Sequence, residues 1–242
     1  MQLSSAAQTD IGLLRSENED RLLRDDELRL YAVADGIGGL PGGAEAAATA
    51  IDALLHEART ARGTRKALNL VHALDEVNDT VRQLADRLAP ETGLGTTLCV
   101  FAITEKDKSL HLANVGDSRC YLFRAGRLQQ LTEDDTVENE VLHRRARGED
   151  VVLEARYRNA LTRCIGQPMP LETKVSHHAL QSGDQLLLCS DGISRQMEDA
   201  DIARRLGAGL APAAVLAALI ADSLAAGGVD NATGVVVRID AI

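Results

Sequence analysis

The order of strand-like and helix-like segments is the feature of this sequence that most constrains its fold. Short apolar and β-branched runs predict strands, and long stretches with apolar residues three and four positions apart predict helices. Strands are predicted at Leu3–Thr9, Arg21–Arg24, Leu28–Ala34, Thr96–Thr104, Leu110–Val115, Arg119–Arg124, Arg127–Leu131, Lys174–Leu180, Gln185–Cys189 and Thr233–Ile239. Helices are predicted at Ala44–Ala61, Thr64–Leu88, Glu138–Arg147, Asp199–Leu206 and Pro212–Ala226.

This order groups the strands together instead of alternating them with helices. A doubly wound parallel sheet needs a βαβα order and is therefore disfavoured. Short turns at 105–109, 116–118 and 125–126 predict that the four strands between Thr96 and Leu131 form antiparallel hairpins. No low-complexity linker or internal repeat interrupts the chain, so we expect one domain over residues 1–242. Antiparallel sheets with helices packed outside them fit this pattern.

Composition excludes several kinds of partner. The net charge is −10, and only two Phe, three Tyr and no Trp are available to stack on bases, so nucleic acid is a poor partner. The first ten residues lack the pattern of a secretory signal, and the apolar stretch 210–226 contains Pro212 and Asp222 and is too short to span a bilayer. The four Cys are dispersed and are expected to be reduced core thiols. We therefore expect a cytoplasmic protein without a membrane partner.

Short acidic motifs stand at the edges of predicted strands. Each alone has an explanation as a turn or a helix cap. Together they are carboxylates at strand ends that can converge on one cleft, where Mg²⁺ or Mn²⁺ would find the oxygen ligands they prefer. The six His show no spacing typical of a zinc site. The motifs are Arg15–Asp20, Asp35-Gly36-Ile37-Gly38-Gly39, Gly116-Asp117-Ser118-Arg119, Ser190-Asp191-Gly192 and Asp230-Asn231.

These motifs belong to seven stretches through which the chain resembles the metal-dependent protein phosphatase family of type 2C, and in particular its compact bacterial members. The stretches follow one another in the family's order over nearly the whole chain. They are GLLRSENED (12–20), VADGIGG (33–39), GLGTTL (93–98), ANVGDSRCYLFRAGRL (113–128), ALTRCIG (160–166), GDQLLLCSDGI (183–193) and GGVDNAT (227–233). The resemblance implies an α+β fold, a layered α-β-β-α sandwich in which two mostly antiparallel sheets pack face to face with helices outside.

The resemblance also implies a site for two Mn²⁺ or Mg²⁺ ions. Asp35 would bridge the two ions, and Asp191 and Asp230 would complete the first ion's ligands. Glu19 and the backbone carbonyl of Gly36 would serve the second ion. Two ions about 3.5–4 Å apart can hold a bridging water and lower its pKa, so that hydroxide forms near neutral pH. That hydroxide would attack the phosphorus of phosphoserine or phosphothreonine directly, without a phosphoenzyme.

Three further roles follow from the same resemblance. Asp20 would hold a metal-bound water in place without being a ligand of either ion. Asp117, together with Asp191, matches the positions that hold a third and weaker ion in bacterial relatives. Arg15 matches the arginine that binds the substrate phosphate, where its planar fork of donors would stabilise the equatorial oxygens.

Two positions depart from the family pattern. Ile37 stands where many eukaryotic relatives carry a His that can protonate the leaving alkoxide, so metal-bound water or another group would have to do so. Asp135 stands where relatives often have His. Segment 136–166 corresponds to the flap that borders the active site in bacterial relatives. Its arginines either attract acidic substrate segments or belong to a solvated face balanced by nearby acidic residues.

Other functions remain in view. Cys189 and Arg195 have the spacing of a cysteine phosphatase, but Asp191 inside that loop would repel both thiolate and phosphate. The glycine-rich stretch 36–43 fails the dinucleotide pattern because Pro41 takes the place of the third Gly. A binding-only phosphoprotein regulator and a hydrolase of small phosphate esters are the alternatives to a protein phosphatase. The expected partners are phosphorylated proteins, including a Ser/Thr kinase or its targets, and a monomer is expected.

Overall fold

The computed structural model describes residues 1–37 and 42–242. Gly38 and Gly39 of the Asp-Gly motif and Pro41 of the glycine-rich stretch lie outside the described residues. The strands are β1 (Gln2–Asp10), β2 (Asp20–Asp25), β3 (Leu30–Asp35), β4 (Leu98–Thr104), β5 (Ser109–Val115), β6 (Arg119–Arg124), β7 (Arg127–Gln130), β8 (Val175–Ala179), β9 (Gln185–Cys189) and β10 (Ala232–Ala241). The helices are α1 (Gly43–Gly63), α2 (Leu70–Leu88), α3 (Val137–Ala146), α4 (Asp191–Ser194), α5 (Asp199–Leu206) and α6 (Pro212–Ala225), with a 3₁₀ turn at Ala155–Tyr157.

The strands form two five-stranded antiparallel sheets. The first sheet has the order β1-β10-β9-β6-β7 and the second the order β2-β3-β4-β5-β8. Apolar side chains from both sheets fill the space between them, while α1 and α2 cover the second sheet and α4, α5 and α6 cover the first. The layered α-β-β-α sandwich is therefore confirmed.

Strand β3 shows why the sequence forms this sandwich. Tyr31 and Val33 point between the sheets, whereas Leu30, Ala32 and Ala34 contact the helices. Because both faces are buried, the strand reads as a continuous apolar run instead of an alternating one. The run ends at Asp35, which emerges at the rim of the sandwich.

Helix α2 begins later than its apolar spacing predicts. The chain turns after α1, with Arg65 at a positive φ of 56°, and Asn69 caps the next helix by accepting hydrogen bonds from the amides of Val71 and His72. A capping side chain satisfies amides that have no partner inside the helix, so it defines the first turn. The prediction of helix from Thr64 was therefore wrong.

The turn at 116–118 is not a hairpin. Strand β5 lies in the second sheet and β6 in the first, so this segment crosses from one sheet to the other. Gly116 has a φ of 107°, and a Cβ there would lie 2.6 Å from the side chain of Thr97. The Thr97 and Ser118 hydroxyl oxygens are 2.7 Å apart, which ties the crossover to the start of β4. The crossover carries Asp117 to the rim of the sandwich.

Within the part of the chain that the structure describes, no helix is both long enough and apolar enough to cross a membrane.

Candidate metal centre

The acidic motifs meet at one end of the two sheets. Asp35 ends β3, Asp191 follows β9, Asp230 precedes β10, and Asp117 lies in the crossover after β5. Together with Glu19 they line a cleft of about 460 Å³, which we call the acidic cleft. Its other lining residues include Arg15, Gly36, Ile37, Asn159, Ala160, Leu161, Arg195 and Asn231. The structure therefore brings together all the predicted site residues except Asp20, which lies beneath the cleft.

Asp20 pairs with Asp35 across β2 and β3 and is only 2% exposed. Its Oδ2 accepts a hydrogen bond of 2.7 Å from Ser190 Oγ, whereas its Oδ1 is buried without a hydrogen-bond partner. Burial raises the pKa of Asp20 to about 7, against the hydrogen bonds from Thr233 and Ser190 that lower it. A buried carboxylate oxygen with no partner is the feature expected of a group that holds an ordered water or ion.

Several carboxyl groups of the cleft have pKa values above their usual range. Burial raises the pKa of Asp35 well above its usual value, and the nearby charges of Asp20, Asp191 and Asp117 raise it further. Burial and the charge of Asp191 raise the pKa of Asp117 to about 7. The pKa values of Glu19 and Asp191 are also raised, with burial as the main cause. So many buried acids at one place require added positive charge to stay ionised at neutral pH.

Part of that positive charge comes from arginine. Arg15 Nη2 donates to Asp230 Oδ2 at 2.8 Å, and its Nη1 lies 3.9 Å from Glu19 Oε2. Arg195 contacts both Asp117 and Asp191. As placed here, no three His, Cys, Asp or Glu side chains of the described ranges 1–37 and 42–242 are grouped as ligands of one ion. An ion that takes up these carboxylates must therefore compete with the guanidinium groups.

The donor set fits a hard divalent cation. Carboxylates and a backbone carbonyl are the ligands that Mn²⁺ and Mg²⁺ prefer, and a bound cation would favour the ionised form of these carboxyl groups, whose pKa values are raised. Gly36 is sterically required, because a Cβ there would lie 2.4 Å from the backbone of Gly43. Gly36 lines the cleft beside Asp35, and without a Cβ its backbone can approach a ligand closely.

Asn231 is a residue whose importance the sequence did not reveal. Its Nδ2 donates to the carbonyls of Ile11 (2.8 Å) and Glu17 (3.0 Å), and its Oδ1 accepts from the Glu19 amide at 2.8 Å. These bonds tie the loop that carries Arg15 and Glu19 to the end of the chain that carries Asp230. The Asp-Asn motif and the GGVDNAT stretch marked this position, but neither indicates which backbone groups the Asn231 side chain binds.

Two hydroxyl residues support the carboxylates in the same way. Ser190 donates to Asp20 and accepts from the Thr233 amide at 3.0 Å, so it joins β2 to β10. Thr97 Oγ1 accepts from the Asp35 amide at 3.0 Å, which fixes the end of β3. Both residues lie in stretches that carry the family resemblance, 183–193 and 93–98, but the sequence alone does not show which groups their hydroxyls contact.

The flap contains its own charge balance. Arg144 and Arg147 pair with Glu149, and Arg158 pairs with Glu138. This pairing favours the balanced solvated face over a surface that attracts acidic substrates.

Asp135 accepts a 2.9 Å hydrogen bond from the Gly116 amide and lies 3.5 Å from Arg163, so it supports the crossover that carries Asp117.

Cys189 does not have the properties of a catalytic thiol. It is fully buried, and burial raises the pKa of its thiol to about 12. A nucleophilic cysteine needs a lowered pKa and access to solvent. Cys99 and Cys120 are also buried free thiols, as the sequence predicted.

Comparison with known proteins gives one consistent result. The family model described as protein phosphatase 2C matches residues 15–226. The serine/threonine protein phosphatase PstP of Mycobacterium tuberculosis is 34% identical over 97% of this chain, but the chain spans only 44% of that protein. The serine/threonine phosphatase stp of Listeria monocytogenes is 32% identical over 96% of this chain and 94% of its own length. The catalytic domain of PstP in complex with two manganese ions superposes with a TM-score of 0.80 at 32% identity, covering 98% of this chain and 97% of that one.

Proposed function

This chain belongs to the protein phosphatase 2C family, and from that premise we propose that it is a Mn²⁺- or Mg²⁺-dependent phosphatase of phosphoserine and phosphothreonine in proteins. The observation that carries the proposal is the acidic cleft itself, in which five carboxylates from separate segments share one wall with Arg15. The activity is proposed for a chain that spans about half the length of its PstP relative.

The carboxylates of the cleft would bind the ions, and Arg15 would bind the substrate phosphate. Asp35, Asp191 and Asp230 would hold one ion, and Glu19, Asp35 and the Gly36 carbonyl would hold the second. Two such ions, when bound, activate water and neutralise negative charge on a phosphate. These roles agree with the donor types and the shared cleft, and they extend the assignment made by resemblance.

Arg15 would exchange one partner for another during the reaction. It now donates to Asp230, and its side chain is 39% exposed at the mouth of the cleft. With Asp230 engaged as a ligand of an ion, the guanidinium would be available for two phosphate oxygens, which its planar fork fits. Arg15 would thereby orient the substrate without taking part in proton transfer.

We propose that water supplies the proton for the leaving alkoxide. Ile37 cannot donate one, and no His lines the cleft within the described residues. Asp20 and Ser190 would help to orient such a water from beneath the cleft, since Asp20 Oδ1 has no hydrogen-bond partner.

Phosphorylated proteins are the proposed substrates, with Ser/Thr kinases and their targets as the first to test. The flap residues Asn159, Ala160 and Leu161 line the cleft and would contact the chain on either side of the phosphorylated residue. The single domain, the monomeric state and the cytoplasmic location expected from the sequence stay predictions.

The test is Mn²⁺-dependent phosphate release from a phosphothreonine peptide by the wild type and by Asp191→Asn. Loss of one carboxylate should lower the rate by about a thousandfold or more, because the ions supply both the nucleophile and the charge stabilisation. Asp201→Asn is the matched control, since Asp201 lies in α5 and pairs with Arg204 away from the cleft.

A small aryl phosphate measured beside the peptide separates the remaining functions. Preference for the peptide in kcat/KM supports the protein phosphatase. Activity on the small ester alone would favour a small-molecule hydrolase, and binding of the phosphopeptide without turnover would favour a regulator.

Asn231→Ala should lower the activity by about 10–100-fold and the free energy of unfolding by about 1–3 kcal/mol. The side chain is 4% exposed, and its loss leaves the amide of Glu19 and two carbonyls without their partner. Asn139→Ala is the control, because Asn139 also donates to a backbone carbonyl (Asp134, 3.0 Å) but lies outside the cleft. Steady-state kinetics and urea unfolding make the comparison. Unchanged kcat/KM in a destabilised Asn231→Ala variant would show that Asn231 does not position the site.

A further inference from the structure

Arg195 forms a bridge between two carboxylates of the acidic cleft. It follows α4, where its backbone amide donates to the Asp191 carbonyl at 2.8 Å. Its Nη1 lies 2.8 Å from Asp191 Oδ2 in a salt bridge, and its Nη2 donates a hydrogen bond to Asp117 Oδ2. One planar guanidinium therefore joins the segment after β9 to the crossover after β5. A lysine could not make both contacts in this way, because its ammonium is a single point charge.

The bridge is largely removed from water. The side chains of Asp117 and Asp191 are 7% and 16% exposed, and that of Arg195 is 30% exposed. Charge-assisted hydrogen bonds in such a place are short and persistent, and removing one partner leaves an uncompensated buried charge. No other basic side chain forms a salt bridge with Asp117 in the described parts of the chain.

Asp117 and Asp191 are the two positions that match the third, weaker ion of bacterial relatives. In this chain a fixed positive charge already lies between them. Arg195 pairs with the Oδ2 atoms of Asp117 and Asp191, and Asp117 is not among the residues that would hold the two ions. The bridge is thus compatible with a centre of two ions but competes directly with a third.

We propose that the Arg195 guanidinium takes the place of the third ion, so that this cleft binds two divalent ions and its third position is closed. The inference rests on the proposed metal centre. Arg195 acts as a positioning residue: it holds Asp117 away from the ions and fixes the orientation of the Asp191 carboxylate.

The experiment is to count bound Mn²⁺ in the intact chain from the electron paramagnetic resonance signal of free Mn²⁺, together with calorimetric titration. The wild type should bind two ions. Arg195→Gln should bind a third at least about tenfold more tightly than any third ion of the wild type, since the competing charge is gone. Arg163→Gln is the matched control, because Arg163 pairs with Asp135 near the same cleft and does not contact Asp117 or Asp191. That control should still bind two ions.

A second variant identifies the ligand of the new ion. Asp117→Asn added to Arg195→Gln should remove the third ion and leave the other two. If Arg195→Gln does not fold, as judged by circular dichroism, Asp117→Asn alone gives the answer. Because Asp117 pairs with Arg195 and does not hold either of the two ions, that variant should still bind two ions.

The outcomes separate the two proposals. A wild type that already binds three ions, or an Arg195→Gln variant that gains none, would overturn the role of Arg195 while leaving the metal centre intact. Loss of one of the two ions in the single variant Asp117→Asn would also overturn the role of Arg195. A wild type that binds no Mn²⁺ would instead remove the metal centre on which the proposed phosphatase activity depends.

Discussion

Asp35→Asn should abolish phosphatase activity and at the same time make the metal-free protein more stable. Asp35 stands at the end of β3, and its pKa is raised well above the usual value by burial and by the charges of four other aspartates. Among the described residues Asp35 has no salt bridge of its own, unlike Asp191 and Asp230. Its ionised form is therefore the least compensated charge in the cleft.

The two effects have separate causes. Asn has the same shape but no charge, so it cannot bridge two ions, and the rate should fall by about a thousandfold or more. Without ions, the loss of repulsion should raise the melting temperature by about 2–4 °C for each 1 kcal/mol relieved. Phosphate release in Mn²⁺ and thermal unfolding in EDTA measure the two effects. Asp201→Asn should change neither by much, because the Asp201 side chain pairs with Arg204 outside the cleft and is 41% exposed.

Either half of this prediction can fail independently. Activity within about tenfold of the wild type would mean that Asp35 does not bridge the ions. A lower melting temperature in EDTA would mean that the Asp35 carboxylate contributes a favourable contact in the metal-free cleft, contrary to its raised pKa.

Chelation should abolish the activity and leave a protein whose stability falls as the pH rises from about 4 to about 7. Folding raises the pKa values of Asp20 and Asp117 from 3.8 to about 7. At a pH between 3.8 and about 7 the folded state binds more protons than the unfolded state. The stability contributed by these two aspartates is therefore complete below about pH 4 and is lost as the pH rises through about 7. Glu19, Asp35 and Asp191 shift in the same direction.

Divalent ions should reverse this loss. Mn²⁺ binds the ionised carboxylates, so the rise in melting temperature on adding Mn²⁺ should be small at pH 5 and large at pH 7.5. The pKa of Asp222 is lowered by its hydrogen bond with Arg205, so its contribution to stability has the opposite pH dependence. Asp222 lies outside the cleft, and its contribution is therefore the same with and without metal at any one pH. Mn²⁺ or Mg²⁺ should restore activity after EDTA, and zinc should not. An activity that resists chelation, or an equal effect of Mn²⁺ at both pH values, would contradict the metal centre.

Local patterns predicted most strands and several helices because these elements are specified by their own residues. Strand β9 contributes Leu186 and Leu188 to the space between the sheets and Leu187 to the helix side, so both of its faces require apolar residues. Helix α5 was predicted at its observed limits, Asp199–Leu206. The four-residue helix α4 was missed, because so short a run carries no periodicity.

The wrong hairpin prediction arose where distant residues decide the local conformation. Gly116-Asp117-Ser118 has the composition of a hairpin turn, yet it crosses between sheets because Thr97 packs against Gly116 and Asp135 accepts its amide hydrogen. Neither partner is adjacent in the chain. Turn chemistry alone cannot distinguish a hairpin from a crossover, since both need the same backbone freedom.

The sequence by itself determined the family, the acidic residues of the cleft and the strand ends at which they stand, because apolar runs and acidic motifs are properties of neighbouring residues. Only the tertiary structure decided which side chains hold those acidic residues in place. Arg195 reaches Asp117 across 78 positions of the chain, and Asn231 reaches the carbonyl of Glu17 across 214. Such contacts exist only after the two sheets have packed, because it is the closed sandwich that brings the ends of its strands within hydrogen-bonding distance.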